Sequence, residues 1–330
     1  MNKSESIVIK FVILLLLLAV SIIASILYGG SESIDLDAVN NQDFIFWQIR
    51  LPKTITAIIA GATLSVAGLI LQVLFRNPLA GPYVLGISSG AALMVAVAIL
   101  AGEALTTFTG LLIGKSVIVV AAIFGSFIVT ILILIVSKKV SSNVVLLLIG
   151  LMFSQICGAI QTALEYFSNP SDLKNFVVWG MGSLSTTLLS DLVLYSSITC
   201  IGFFGLLFLI KPLNALLLGE NYAHNAGIDF NKTRFLLILI SSVLTGVTTA
   251  FCGPIAFVGI AVPILSRMVF KTSKQEIHFA SSAILGSIIL LISDALSHSA
   301  IPNLALPINM ITTFIGAPLV IYLMFKNKHW

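Results

Sequence analysis

Charged side chains are scarce in this chain of 330 residues. Asp, Glu, Lys and Arg together make up 9% of it, whereas hydrophobic residues make up 58%, and the mean hydropathy is +1.11. This composition excludes a protein built only from ordinary soluble domains. The apolar residues form continuous runs of about 18 or more rather than an alternating pattern. We therefore expect membrane-spanning helices and not the strands of a barrel.

Motifs for cofactors, metals and nucleotides are also missing. The three cysteines lie in apolar runs without CxxC spacing, and the four histidines are scattered without metal-ligand spacing. The segment Gly110–Ser116, GLLIGKS, is one residue short of a phosphate-binding loop and lies on the predicted outer side. The basic residues are spread over many short loops, which excludes nucleic acid as a partner. No cofactor-binding or metal site is predicted in this chain.

Ten apolar segments predict the membrane topology. Phe11–Tyr28 is long and lacks a small-x-small cleavage site, so we interpret it as a retained first helix and not a signal peptide. The segment 254–270 contains two prolines and two nearby glycines, which predicts a short or broken helix. The ten segments are 11–28, 51–75, 83–101, 116–137, 143–167, 190–210, 233–251, 254–270, 279–296 and 308–325.

The positions of the basic residues orient these segments. With the N-terminus inside, thirteen Lys and Arg residues lie on the cytoplasmic side and four, Arg50, Lys53, Lys115 and Lys174, lie on the outer side. This bias follows the positive-inside rule. Both termini are therefore predicted to be cytoplasmic, and the chain is interpreted as one membrane domain, 1–330.

Two predicted helices carry polar stripes. In the fifth, six small or polar residues fall on one face, and in the second a narrower stripe contains five. Packing between helices is one interpretation, and a water-lined route for a polar solute is the other. We favour packing for the second segment and a pathway for the fifth. The stripe of the fifth segment consists of Gly150, Ser154, Cys157, Gly158, Gln161 and Glu165, and that of the second of Thr54, Gly61, Ser65, Gly68 and Gln72.

Two alternative functions start from single residues. Gly86–Gly90, GISSG, matches the nucleophile-elbow pattern and would allow an intramembrane hydrolase using Ser88 and His298. Asp294, near the outer end of the ninth segment, would allow a proton-coupled secondary transporter together with Glu165. A structural hydrogen bond or an interfacial position is the plainer interpretation of Asp294.

The segment Leu213–Ile228, LNALLLGENYAHNAGI, is too short and too polar to cross a membrane and lies on the predicted cytoplasmic side. If it is helical, Gly219, Ala223 and Gly227 fall four residues apart and form a face with little side-chain bulk. Such a face would suit docking of a short helix into a groove on another protein. An amphipathic connector lying on the membrane surface is the alternative.

Four stretches of this sequence together resemble the FecCD-type permeases of ATP-binding-cassette importers. The resemblance spans nearly the whole chain in order. One departure is Ile264 after Pro263, where the family usually has a histidine. The stretches are WQIRLPK at 47–53, RNPLAGPYVLGISSGA at 76–91, LGENYAHNAGI at 218–228 and GPIAFVGIAVPILSR at 253–267.

The resemblance implies an all-α permease of a type II importer with about ten transmembrane helices in the bacterial cytoplasmic (inner) membrane. Such a permease would pair as a homodimer, bind two ATPase subunits and receive its cargo from an extracytoplasmic substrate-binding protein. The cargo would be an iron–siderophore complex, with haem or cobalamin as alternatives. The subunit itself would not be an enzyme, because ATP and Mg²⁺ would bind the partner ATPase.

The resemblance also assigns roles to individual residues. The segment 218–228 resembles the family's coupling helix, which implies contact with the ATPase through Gly219, Glu220, Ala223 and Gly227. Ser154, Gly158, Gln161 and Glu165 of the fifth segment are the candidates for the translocation pathway.

Docking of the binding protein is predicted at the outer end of the second segment. Arg50 and Lys53 stand three residues apart and would share a helical face. In the family, matching basic residues meet carboxylates of the binding protein. His298 stands where the family often has an arginine, so its contact is expected to be weaker and sensitive to pH. Snorkelling of two basic side chains at the interface is the alternative for Arg50 and Lys53.

Overall fold

The computed structural model describes residues 3–28, 44–101, 114–140, 142–299 and 305–326, and within these ranges all regular secondary structure is helical. The prediction of an all-α fold is therefore confirmed. A π-helical turn, Phe46–Arg50, leads into α2, and a 3₁₀ turn, Pro82–Leu85, precedes α3. The helices are α1 Lys3–Tyr28, α2 Leu51–Phe75, α3 Ile87–Leu100, α4 Lys115–Lys139, α5 Asn143–Phe167, α6 Pro170–Gly180, α7 Leu189–Leu218, α8 Glu220–Asn225, α9 Phe230–Cys252, α10 Val258–Phe270, α11 Gln275–Ser299 and α12 Ile308–Lys326.

Each of the ten predicted apolar segments overlaps one of these helices, and several of the helices extend beyond the predicted bounds. In the described part of the chain, seven helical stretches are long and apolar enough to cross a membrane. They are the stretches that contain α1, α2, α4, α5, α7, α9 and α11. Three shorter apolar helices, α3, α10 and Ile308–Tyr322 within α12, fall below that length. The expectation of a short helix near 254–270 agrees with α10, which begins only at Val258.

The first of two compact units consists of Met1–Leu69, Ser183–Ile201 and Ile255–Trp330. The part of α2 up to Leu69 belongs to this unit and packs against α10 and α11 through glycines. A methyl group at Gly61 would overlap the backbone of Gly286, and one at Gly68 would overlap the backbone of Gly259. Small residues allow this close approach of two helix backbones. The packing interpretation of the polar stripe on α2 agrees with these contacts.

The second compact unit consists of Ile70–Gly182 and Gly202–Pro254. Here α3 packs against α4, α5, α6 and α9, and α4 also packs against α9. The core of the unit is apolar. Outside the hydrocarbon of the bilayer it is stabilised by the hydrophobic effect and by dispersion, and inside the hydrocarbon it is stabilised by packing alone. The buried members of this core are Ala91, Val95, Ala96, Ile99, Ala122, Phe176 and Ala250.

The structure differs from the sequence prediction in two helices. The predicted segment 190–210 continues to Leu218 in α7, across Pro212. Leu213 and Leu216 are buried beyond that proline, so burial of their side chains offsets the loss of one backbone hydrogen bond. The helix α6 has no counterpart among the predicted segments, because its mean hydropathy is too low for a membrane span.

Candidate functional site

The segment Leu213–Ile228 folds as the last turns of α7, a break at Gly219 and the short helix α8. Gly219 has a φ of 125° and Gly227 a φ of 78°. The amide of Ile228 donates to the carbonyl of Ala223, and the amide of Gly227 donates to that of His224. These two bonds form a Schellman ending, which needs a left-handed residue where Gly227 stands. The glycines therefore fix the backbone of this segment.

The prediction of one continuous face of small residues is wrong. Of Gly219, Ala223 and Gly227, only Ala223 lies within α8, and its side chain is fully buried in the second unit. The residues of α8 that the structure shows exposed are Tyr222, His224 and Asn225. The exposed side chains of the whole segment therefore include the apolar Leu217 and Leu218 beside these three residues of α8, while the side chain of Ala223 is buried.

Arg76, from the RNPLA stretch, supports the start of this segment. Its guanidinium Nη2 donates to the carbonyl of Leu216 at 3.1 Å. A positive charge at the C-terminal end of a helix also interacts favourably with the helix dipole. Arg76 itself has a positive φ of 48°, and Asn77 closes the next turn by accepting a hydrogen bond from the amide of Leu79. The RNPLA stretch therefore caps α7 where the break at Gly219 begins.

Two further side chains support the neighbouring helix ends in the same way. Asn143 Nδ2 donates to the carbonyl of Leu74, near the end of α2. Arg234 Nη1 donates to the carbonyl of Val140, just after α4. No sequence pattern marked Asn143 or Arg234 as a site residue. A polar residue beginning an apolar run is too common to have marked them.

The polar stripe on α5 faces the protein over most of its length. A methyl group at Gly150 would contact the backbone of Val84 and Leu85. Ser154 donates to the carbonyl of Gly150, and Gln161 donates to the carbonyl of Ser89 at 3.1 Å.

The far end of this stripe is more open. A methyl group at Gly158 would have nothing within 4 Å, and Glu165 is half-buried. The stripe therefore combines packed positions with open ones.

The structure brings the three residues predicted for docking together at one place in the first unit. Lys53 Nζ lies 3.0 Å from Asp294 Oδ2, and Ser25 donates to the same oxygen at 3.0 Å. His298 Nδ1 lies 3.0 Å from the carbonyl of Asp294 and 3.7 Å from its Oδ1. Arg50 stands one turn before Lys53.

These residues differ in their access to solvent. The Lys53 side chain is 1% exposed and that of His298 is 20% exposed. Arg50 is 3% exposed, and its Nη1 donates to the carbonyls of Ile26 and Leu27. Of these three docking candidates, only His298 has a side chain that is exposed enough to contact a partner. Lys53 instead joins α2 to α11 through a buried ion pair.

The alternative functions gain no support from this geometry. Ser88 shares a hydrogen bond with Thr249 at 3.2 Å and is buried. Asp294 accepts from Lys53 and Ser25, which fits the structural interpretation of this carboxylate. Within the described ranges no cluster of three or more His, Cys, Asp or Glu could hold a metal ion. Most of the GLLIGKS segment lies outside the described residues.

Together these features define a multi-pass α-helical membrane protein with a capped, partly exposed connector between α7 and α9. Residues 9–326 match the FecCD transport family. The chain belongs to this family and is a permease of an ABC importer.

Two relatives are typical. The hemin transport system permease protein HmuU of Yersinia pestis is 35% identical over 288 residues, covering 86% of this chain and 84% of that protein. The vitamin B12 import system permease protein BtuC of Yersinia pseudotuberculosis is 32% identical over 290 residues, covering 86% of this chain and 82% of that protein.

Solved structures agree with the fold. An inward-facing metal-chelate type ABC transporter has a TM-score of 0.85 at 30% identity, covering 95% of this chain and 98% of that chain. PsaBC from Streptococcus pneumoniae, in complex with a Fab, has a TM-score of 0.59 at 16% identity, covering 88% and 94%, which shows likeness of fold alone.

Proposed function

We propose that this permease imports an iron–siderophore complex, delivered by an extracytoplasmic binding protein and driven by a partner ATPase. The observation that carries the proposal is the coupling segment, Leu213–Ile228, whose backbone is fixed by Arg76 and by the Schellman ending. A rigid connector with exposed polar side chains suits transmission of force from a partner. Haem or cobalamin import by the same machinery is the second candidate, because relatives are named for hemin and vitamin B12.

The assembly we propose is a homodimer of this permease with two ATPase subunits in a bacterial cytoplasmic membrane. Gly219, Glu220, Ala223 and Gly227 serve the contact with the ATPase, the two glycines and Ala223 by fixing the backbone and anchoring α8. Seven long apolar helical stretches support a multi-pass arrangement, and the distribution of Lys and Arg supports cytoplasmic termini.

Uptake by the reconstituted complex tests this function. The permease, its ATPase and its binding protein are placed in proteoliposomes, and entry of radiolabelled ferric siderophores, hemin and cyanocobalamin is compared. We expect ATP-dependent uptake of a ferric siderophore and loss of uptake in an ATPase variant that cannot hydrolyse ATP. ATP-dependent uptake of hemin or cyanocobalamin alone would show that the cargo is haem or cobalamin and not a ferric siderophore. Uptake driven by a proton gradient without ATP would overturn the importer mechanism.

The translocation pathway is proposed along the stripe of α5 that contains Ser154, Gly158, Gln161 and Glu165. Its open part is at Gly158. Gln161 joins α5 to α3 by donating to the carbonyl of Ser89, whereas the Ser154 hydroxyl donates within α5 to the carbonyl of Gly150. A water-filled route would lie beside the open part.

Cysteine labelling tests the pathway on a background with the exposed Cys200 replaced by Ser. Gly158→Cys is expected to react with a water-soluble thiol reagent at least several-fold faster than Ile156→Cys, which faces outward from the same helix at 55% exposure. Added cargo should slow the reaction at Gly158 and leave Ile156 unchanged. Equal labelling rates at the two positions would show that no water-filled pathway runs along this face of α5.

A further inference from the structure

A basic pocket lies in the second unit where the end of α4 meets the start of α9. It has a volume of about 460 Å³, which is within the usual range for small-molecule sites. The sequence spreads its basic residues over separate loops, and the fold brings three of them together here. The pocket is lined by Ser137, Lys138, Asn231, Lys232, Arg234 and Phe235.

The lining of this pocket favours an anion. Lys138, Lys232 and Arg234 contribute three positive charges, and no carboxylate is among the lining residues. The neighbouring Asp229 is the N-cap of α9, and its carboxylate accepts a hydrogen bond from the Lys232 amide. Three basic side chains and no carboxylate in the lining favour a headgroup with net negative charge over a zwitterionic one.

Two contacts fix the basic side chains in place. Arg234 is 3% exposed, and its Nη1 donates to the carbonyl of Val140 at 2.9 Å. The Lys138 ammonium lies 5.5 Å from the centre of the Phe235 ring, a distance at which a cation–π interaction is favourable. The positive charges are therefore partly preorganised before any ligand arrives.

An apolar surface leads from this pocket along α4. Ile135 and Ile131 stand three and seven residues before Lys138, so they share its helical face. Their side chains are 51% and 40% exposed, and α4 is one of the helices able to cross a membrane. An inorganic phosphate ion would gain nothing from contact with this apolar surface, whereas the acyl chains of a lipid would cover it.

We propose that this pocket binds the headgroup phosphate of an anionic glycerophospholipid. Lys138 and Lys232 bind the phosphate, the Asn231 side chain adds a polar contact, and an acyl chain lies against Ile135 and Ile131. The basic end of α4 is on the predicted cytoplasmic side, where anionic lipids give the membrane surface a negative potential. The site is independent of the cargo, and it adjoins the coupling segment through Asp229.

Native mass spectrometry of the purified full-length chain tests the site. Bound phosphatidylglycerol is counted against phosphatidylcholine of the same acyl chains. We expect preferential retention of phosphatidylglycerol, and the double variant Lys138→Gln/Lys232→Gln should reduce that retention about tenfold. The matched control is Lys139→Gln/Lys211→Gln, which removes the same charge from two exposed lysines outside the pocket and should retain the lipid. Equal loss in both double variants would mean diffuse charge attraction and would overturn the proposal.

Two further arms separate the other possible occupants. Inorganic phosphate in large excess should leave phosphatidylglycerol bound; complete displacement by phosphate would identify a soluble-anion site and overturn the lipid proposal. The count is repeated on the importer assembled with its ATPase. If the assembled wild type retains no more phosphatidylglycerol than the Lys138/Lys232 double variant, the pocket is covered by the ATPase and the proposal is likewise overturned.

Discussion

At the scale of single residues, Lys53 and Asp294 form a buried ion pair whose disruption we expect to be costly. Both side chains are almost fully enclosed, and Ser25 donates to the same carboxylate oxygen. Ser25 also shares a hydrogen bond with Thr54. A charge at this depth is tolerated only because its partner is within hydrogen-bonding distance. The pair therefore holds α1, α2 and α11 to one another.

Removing one partner should be more harmful than removing both. We expect Lys53→Met and Asp294→Asn each to lower the free energy of unfolding by about 3–5 kcal/mol, because each leaves a buried polar group without its partner. The double variant Lys53→Met/Asp294→Asn should lose less than the sum of the two single variants. Denaturant unfolding in detergent measures all three.

The control for this cycle is Lys174→Met, an exposed lysine on α6, which should change stability by no more than about 0.5 kcal/mol. If the two single effects simply add in the double variant, the ion pair does not hold the helices together.

The sequence identified these residues but could not pair them. Arg50, Lys53, Asp294 and His298 were each placed near the outer end of a predicted helix, and the structure groups the last three within one network. Hydropathy gives the depth of a residue along a helix and says little about which neighbouring helix it faces. Burial of Lys53 follows from a long-range contact, and the sequence alone favoured docking at the surface.

At the scale of helices, long apolar runs made the prediction accurate. All ten predicted segments overlap a helix, because each apolar run ends at or near a glycine, proline, polar or charged residue. The exceptions have physical causes. The helix α7 extends past Pro212 because Leu213 and Leu216 are buried beyond it. The small-residue face of Leu213–Ile228 does not exist because positive φ angles at Gly219 and Gly227 end the helix on both sides.

Arg76 should govern how firmly the coupling segment is held. Arg76→Gln removes a charge-assisted hydrogen bond to the carbonyl of Leu216, which is worth about 1.5–3 kcal/mol. We expect faster amide exchange across 219–228 and several-fold less uptake per ATP hydrolysed, with folding retained. Arg76→Lys should keep part of both properties, because the positive charge remains near the helix end.

Lys211→Gln is the matched control for Arg76, since this exposed lysine lies on α7, the helix whose end Arg76 caps. It should change neither amide exchange in 219–228 nor coupling. Unchanged exchange in Arg76→Gln, with normal uptake per ATP, would show that the RNPLA stretch does not support the coupling segment.

At the scale of the whole molecule, the sequence was enough to predict the class of protein but not its cargo. Composition and the order of four stretches identified a FecCD permease, and the family match over residues 9–326 confirms it. Relatives of similar identity are named for hemin and for vitamin B12. The α5 stripe contains only small and polar groups, and such residues do not specify one chelate.

Docking of the binding protein is a property of the assembled importer, and His298 offers its sharpest test. Of the three candidates it is the one whose side chain reaches the surface, at 20% exposure. His298→Arg supplies a permanent positive charge and should speed association with the loaded binding protein several-fold, with a steeper dependence on ionic strength. Stopped-flow association across a salt series measures both quantities.

His298→Gln is the neutral counterpart and should slow association or leave it unchanged, with a flatter salt dependence. If arginine, glutamine and the wild-type histidine give the same rate and slope, electrostatic docking at this position is excluded, and any role for Arg50 and Lys53 is then confined to the buried network.

The ion pair of Lys53 and Asp294 cannot form until the ribosome has synthesised the chain as far as Asp294. Asp294 follows Lys53 by about 240 residues, which a ribosome adds in roughly 10 to 50 seconds. Throughout that interval the nascent α2 carries an uncompensated ammonium, which costs about 3 kcal/mol if it enters the bilayer centre. Because Lys53 lies near the predicted outer end of α2, we expect its ammonium to stay in contact with water during that interval and to be buried only when α11 packs against α2. A nonsense mutation before Asp294 would leave that step undone and mark the truncated chain for proteolysis.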